Sequence, residues 1–217
     1  MHKNDVRTLD SIYRTIDDYY TKKVSQHGPT PLGVDWTCVA TQELRFVQLL
    51  KVCSFNRPIS LNDIGCGYGA LLNYLSRRHA KAKIDYLGID VSRAMIARAR
   101  RMHAKRPKTR FLVDTASPRI ADYSVASGIF NVKLRQDIKA WEHFIAKALI
   151  DLKETSRCGF AVNFMLPEER GHIPNRMLYR TKPERWVAFC EAELNCDVAS
   201  VKGYGLREFT LLVRPTK

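Results

Sequence analysis

The chain has 217 residues, 45% hydrophobic and 27% charged, with 36 Lys+Arg against 22 Asp+Glu and a formal charge of +14. That length suits one α/β domain with a modest appendage, and the composition is that of a globular protein rather than a disordered or fibrous one. No apolar run approaches the roughly 20 residues that span a bilayer, the first residues lack the apolar centre of a signal peptide, and six cysteines without ligand spacing predict reduced thiols in a cytoplasmic protein with no metal site.

Val6, Leu9, Ile12, Tyr13, Ile16 and Tyr20 recur at three- and four-residue spacing, which predicts an amphipathic helix over residues 5–23. Prolines and glycines between His27 and Trp36 break it. A second helix is expected over residues 41–52, with Leu44, Phe46, Val47 and Leu50 as its inward candidates. Residues 59–70 then read as strand, glycine-dense turn and helix start, the arrangement that brings backbone N–H groups and a helix N-terminus up to a ligand. Gly65, Gly67 and Gly69 alternate there, leaving no Cβ where a ligand must lie against the chain. Asp63 stands at the mouth of the strand. Asp90 closes the next apolar run, where a carboxylate can accept both hydroxyls of a ribose.

Residues 71–79 continue as a helix, and Ser92 is the expected N-cap of another that runs to about residue 105, with Met95, Ala99 and Met102 inward. Its outer face and exit carry Arg93, Arg98, Arg100, Arg101, Lys105, Arg106, Lys108 and Arg110. Such a run is either a solvated face or a track for a phosphate backbone, and it lacks the interleaved aromatics that stack bases. Strands are expected over residues 109–114, 120–127 and 159–165, the last with Asn163 in an otherwise apolar run. A helix over residues 136–153 turns Ile138, Trp141, Ile145, Ala148 and Leu149 inward. A polar loop of residues 166–181 holds His172, and Pro183 opens a helix reaching Leu194. Residues 197–202 and 207–214 form the final strand pair across Gly203-Tyr-Gly205.

The run Asp63-Ile-Gly-Cys-Gly-Tyr-Gly69, followed by Gly88-Ile-Asp90, resembles motif I and the following acid of the class I S-adenosylmethionine-dependent methyltransferases. The likeness is specific across residues 57–131. It implies an α/β fold with a Rossmann-like, seven-stranded, mostly parallel sheet of order 3-2-1-4-5-7-6, strand seven antiparallel, helices on both faces, and an N-terminal helical lid. Residues 1–56 would be that lid and residues 57–217 the Rossmann-like domain. The implied cofactor is S-adenosylmethionine, leaving S-adenosylhomocysteine as product. Its methionine part would lie on Asp63, Gly65, Cys66, Gly67, Tyr68 and Gly69, its ribose on Asp90 beside Val91 and Met95, and its adenine on Asp114 and Thr115. Ser127, Gly128 and Ile129 would border the methyl group. Trp36, Arg45, Asn131 and Asn163 are the candidates on the acceptor side, and His172 is the candidate base for an oxygen acceptor.

One departure lies inside the motif: Asn62 replaces the apolar residue usual before the acid, and a buried amide needs partners. The same glycines also fit the dinucleotide pattern G-x-G-x-x-G/A with an acid about 20 residues on. Asp63, the extra Gly69 and the terminal strand pair favour the methyl donor. Residues 127–131 (Ser-Gly-Ile-Phe-Asn) lack the Asn/Asp-Pro-Pro-aromatic run of enzymes that methylate base amines, and no Pro-Cys serves cytosine chemistry. His27-Gly, Val34-Asp-Trp36, the 127–131 run and Glu208-Phe-Thr210 together are similar to a bacterial branch of the superfamily. The expected acceptor is a small molecule, a hydroxyl or amine of a metabolite or sugar. RNA held on the basic surface is the second reading, and a cofactor-binding relative that acts through a partner is the third.

Overall fold

The computed structural model describes residues 3–168 and 175–216, with side chains from Val6 onward, so His172 lies outside the described residues. Seven strands form one sheet: β1 Ile59–Ile64, β2 Ile84–Asp90, β3 Thr109–Val113, β4 Ala121–Ala126, β5 Ser156–Met165, β6 Cys196–Val201 and β7 Glu208–Pro215. Their order is β3-β2-β1-β4-β5-β7-β6, with the first five parallel and β7 antiparallel to both β5 and β6. The strand order expected from the sequence is therefore the one found.

Helices α1 Lys3–His27, α2 Val39–Leu49, α3 Ala70–Arg78, α4 Arg93–Met102, α5 Ile138–Glu154 and α6 Pro183–Ala192 surround the sheet, with a short 3-10 turn at Pro31–Val34. Two apolar clusters hold them there. On one face Leu9 and Ile12 of α1, Trp141, Phe144 and Ile145 of α5, and Trp186 of α6 pack with β4, β5 and β7. On the other Phe46 and Leu49 of α2, Leu71 and Leu75 of α3, and Ile96 of α4 pack with β1 and β2. Phe164 stacks on Phe130, Phe209 and Trp186 with ring centroids 5.1, 5.4 and 5.8 Å away. Aromatic pairs of this kind contribute about 1 kcal/mol each beyond their burial, so the stack fixes the spacing of β5, β7, α6 and the segment after β4.

The inward face of α2 differs from the expected stripe. Gln42, Arg45, Phe46 and Leu49 are buried at i, i+3, i+4 and i+7, whereas Val47 is 40% exposed. Two of these inward positions are polar because their partners lie inside the protein, so of the expected stripe Phe46 and Leu50 are buried while Val47 turns outward. Met102 and Ile138 are each 46% exposed because they are the terminal residues of α4 and α5. Asn62 is fully buried and paired: its amide donates towards Arg119 O, Ser124 Oγ and Thr155 O at 3.3–3.4 Å, and its oxygen accepts from Arg119 Nε at 3.0 Å.

Gly69 caps α3 with φ +85°, and a Cβ built on it would lie 2.7 Å from His103 Nε2. His103 itself stacks on Phe111 of β3 with centroids 5.5 Å apart. Helix packing therefore requires a glycine here, and Gly69 is not among the residues that line the cavity described below. Gly69→Ala combines left-handed backbone strain with that clash and is expected to cost about 2 kcal/mol. A thermal melt checks it; an unchanged midpoint would mean that His103 moves aside freely.

Candidate active site

At the carboxyl ends of β1, β2 and β4 a cavity of ≈ 560 Å³ lies between the glycine loop and a cover made by α1 and the Pro31–Val34 turn. The chain folds this way locally because β1 runs directly into the turn. Gly65 and Cys66 donate to Ile89 O at 2.8 and 3.0 Å, which bends the loop over the end of β2. Asp90 then organises its surroundings. Its Oδ2 accepts from Gly67 N–H and its Oδ1 from Ser92 N–H, each at 2.8 Å. Ser92 caps α4 by accepting from Met95 N–H, and its hydroxyl lies 3.0 Å from that of Thr21 on α1. One carboxylate thus joins the glycine loop, the start of α4 and, through Ser92, the cover.

Asp63 accepts a hydrogen bond from Tyr86 at 2.5 Å. Burial pushes its carboxyl up to about 7; the Tyr86 bond opposes the shift and nearby Asp90 adds to it. Burial likewise holds Asp90 up at about 6, against its two backbone hydrogen bonds. Cys66 lies between these acids, and its thiol is pushed far above the usual range, chiefly by burial; it is no thiolate nucleophile. Asp114 continues the row: its N–H donates to Asp90 O at 3.2 Å and its exposed carboxylate accepts from Thr115 N–H at 2.7 Å.

A second set of contacts closes on itself at the end of β4. Gly128, at φ +74°, donates its N–H to Asn163 Oδ1 at 2.7 Å, and Asn163 Nδ2 donates to Glu208 Oε2 at 2.7 Å. Glu208 accepts from Arg45 Nε at 2.9 and 3.0 Å in a buried ion pair, and Arg45 also donates to Thr41 O at 2.7 Å. The guanidinium lies 3.8 Å from the centre of the Trp36 ring, and the far edge of that ring fills the space a Cβ on Gly128 would take. A side chain at position 128 would expel Trp36.

Of the candidates, Trp36, Arg45, Asp63, Gly65, Cys66, Gly67, Tyr68, Asp90, Val91, Met95, Asp114, Thr115, Ser127, Gly128, Ile129 and Asn131 all line the cavity. Gly69 and Asn163 do not. Asn163 is fully buried with its amide bonded to Gly128 and Glu208, so it positions the wall. Sequence reasoning missed Tyr13, Ile16 and Tyr20 of α1, Gln42 of α2, and Glu208 of β7, which also line it. The α1 residues carry only the signal of a core stripe. Glu208 had a faint one, an acid directly before an apolar run.

These residues fit S-adenosylmethionine. The volume lies within the roughly 300–1,000 Å³ of small-molecule sites, and the Asp63 and Asp90 carboxylates retain lone pairs beyond the bonds they accept. Buried Ser127 Oγ, Asp35 Oδ2 and both amide atoms of Asn131 have no hydrogen-bond partner among the described residues. Much of the basic run after Arg93 sits elsewhere. Arg98 and Arg100 are tied to Val24 O and Phe111 O, and Lys105, Arg106 and Lys108 precede β3, at the opposite end of that strand from Asp114 in the cavity.

Two outcomes follow from the buried charges. Glu208→Ala leaves the Arg45 guanidinium buried and unpaired, and denaturant unfolding is expected to show a loss of about 3–5 kcal/mol. For Asp63, a raised folded pKa means the native state holds a proton that the unfolded chain releases between about pH 4 and 7, so its contribution to stability is present in acid and lost as pH rises through about 7. Asp63→Asn is therefore expected to raise the melting midpoint at about pH 8 and leave it nearly unchanged at about pH 4. An equal shift at both would refute the assignment.

The chain matches the family described as "Methyltransferase domain" over residues 62–149. A Mycobacterium tuberculosis protein named as a candidate methyltransferase is 39% identical over 165 residues, which is 76% of this chain and 98% of that protein. The Synechocystis magnesium protoporphyrin IX methyltransferase solved with S-adenosylhomocysteine shares the fold at TM-score 0.63 and 14% identity, covering 99% of this chain and 100% of the other. Phosphoethanolamine N-methyltransferase 1 of Haemonchus contortus does so at TM-score 0.66 and 13% identity, covering 96% of this chain and 49% of the other. With this relative, this sheet order and this acid–glycine loop, the chain belongs to the class I S-adenosylmethionine-dependent methyltransferases.

Proposed function

We propose that the protein transfers a methyl group from S-adenosylmethionine to a small molecule, and that the cavity under α1 holds both. The observation that carries this reading is Asp90: a buried carboxylate fixed by two backbone N–H groups at the end of β2, with lone pairs left for the two hydroxyls of a ribose. Asp114 and Thr115 stand one strand over and take the adenine edge. Asp63, Gly65 and Gly67 take the methionine end, with Asp63 able to pair a cationic amino group that would draw its raised pKa back down. Tyr13, Ile16 and Tyr20 close the top and exclude water. We assign this covering task to residues 1–56 and cofactor binding to residues 57–217.

When bound, S-adenosylmethionine supplies a methyl group already activated by its sulfonium. The protein has to align the acceptor and keep water out. Trp36 and Asn131 form the wall facing that point, held by Gly128 and the Arg45–Glu208 pair. A small acceptor suits a covered cavity of this volume, and the two solved relatives are named for small acceptors, a porphyrin and phosphoethanolamine. Lys105, Arg106 and Lys108 lie at the opposite end of β3 from Asp114, which favours the small acceptor over an RNA strand.

Thermal unfolding with S-adenosylhomocysteine, S-adenosylmethionine and NAD in parallel tests the reading. A ligand specific for the native state adds about 2.7 kcal/mol at a hundredfold excess over its dissociation constant. A shift with the first two, lost in Asp90→Ala, is the expected result. A shift with NAD alone would assign the glycine loop to a dinucleotide instead.

A further inference from the structure

We propose that the acceptor is an uncharged, largely apolar molecule methylated on a hydroxyl oxygen, and that Asn131 is the residue that selects it. The inference rests on the methyl-donor reading above and adds the class of its second substrate.

Asn131 is 3% exposed, lines the cavity just past Gly128, and neither its Nδ2 nor its Oδ1 has a partner among the described residues. Its backbone is fixed at both ends, with the N–H donating to Gly128 O at 3.1 Å and the carbonyl accepting from Tyr179 N–H at 2.8 Å. The carboxamide is thus held in place while both its donor and its acceptor stay open. Leaving a buried polar pair unmatched is costly, so a ligand that satisfies both atoms gains over one that satisfies a single atom. A hydroxyl does both: it donates to Oδ1 and accepts from Nδ2. An ammonium only donates and a carboxylate only accepts, so each leaves half of the amide unpaired.

The charges of the surrounding wall point the same way. Arg45 and Glu208, beside Trp36, are committed to one another, with Asn163 and Thr41 O completing their shells, and Asp35 is tied to Lys23 through its Oδ1. Among the described residues no cationic side chain of the lining is left to offset an anionic acceptor. The Gln42 oxygen accepts from Tyr68 OH at 3.2 Å. The lining also includes the apolar Trp36, Val132, Met165, Met177 and Leu178 with the polar Ser127 and Asn175 among them, and Val132 pairs with Leu178 as an isolated bridge. An anionic molecule placed there would be desolvated without compensation. In the transfer the hydroxyl oxygen supplies the electron pair of the new O–CH3 bond, sulfur keeps the pair of the broken S–CH3 bond, and the protonated ether so formed gives its proton to bulk solvent as the product leaves the cavity.

The test is calorimetric titration of protein saturated with S-adenosylhomocysteine, using matched sets: cyclohexanol, cyclohexylamine and cyclohexanecarboxylate, then propylphenol, propylbenzylamine and propylbenzoate. Binding of the homocysteine product itself is measured first, so a failure of the methyl-donor reading appears there and is not confused with the outcome for acceptors. In each set the hydroxyl member is expected to bind at least about tenfold more tightly than either charged member. Asn131→Leu is expected to remove that preference with the affinity for S-adenosylhomocysteine kept, and Asn131→Asp to shift it towards the amines. Methyl transfer from labelled S-adenosylmethionine should follow the same order. Tighter binding of a charged member, a preference unchanged in both variants, or no binding by any member to the loaded protein would each overturn the proposal.

Discussion

One carboxylate holds the architecture of the site together. Asp90 ends β2 with each of its oxygens on a backbone N–H, one from the glycine loop and one from the start of α4. These N–H groups belong to elements 23 and 2 residues away in the chain, so the bond pair converts a strand end into the corner where loop and helix meet. Placing that charge in a buried corner is unfavourable, and the raised pKa of Asp90 expresses it. The group retains spare acceptor capacity aimed at the cavity. Carboxylates perturbed in this way and facing a cavity cluster at functional sites.

The closed chain of contacts from Gly128 through Asn163, Glu208, Arg45 and Trp36 does the corresponding work on the other side. It links β4, β5, β7 and α2 with two side-chain hydrogen bonds, one ion pair and one cation–π contact. A buried ion pair adds little net stability against well-packed apolar residues, yet it fixes geometry because breaking it strands a charge. Here it fixes the position of the Trp36 wall relative to the end of β4. The cover is therefore registered to the sheet by directional bonds, while α1 and α5 meet through apolar packing that tolerates small shifts.

Much of this was legible because it is local. Strand, acid, glycine turn and helix occupy consecutive residues, and the period of apolar residues switches from two to near four within them, so Asp63, Gly65, Gly67 and Asp90 could be named and their spacing interpreted. The final strand pair announced itself through the Gly203-Tyr-Gly205 break, and with it the antiparallel edge. The errors arose where inside and outside are decided by a distant partner. Val47 was expected inward and Arg45 only as a site candidate, because nothing near α2 reveals that an acid 163 residues away waits for the arginine. Asn163 stood only as an acceptor-side candidate because its partners Gly128 and Glu208 lie far from it in the chain.

The sequence by itself determined the strands, the glycine turn and its acids through short-range patterning, and the family they resemble implied the sheet order. Tertiary structure alone decided which polar groups are spent and which remain open. Gly69 became a packing position through His103, Asn163 became a strut, and Asn131 kept both amide atoms at the cavity wall without a partner among the described residues. The reason is that hydrogen-bond satisfaction is a property of three-dimensional neighbours. A residue's chemistry is written in the chain, but its availability depends on what the fold places within about 3 Å of it.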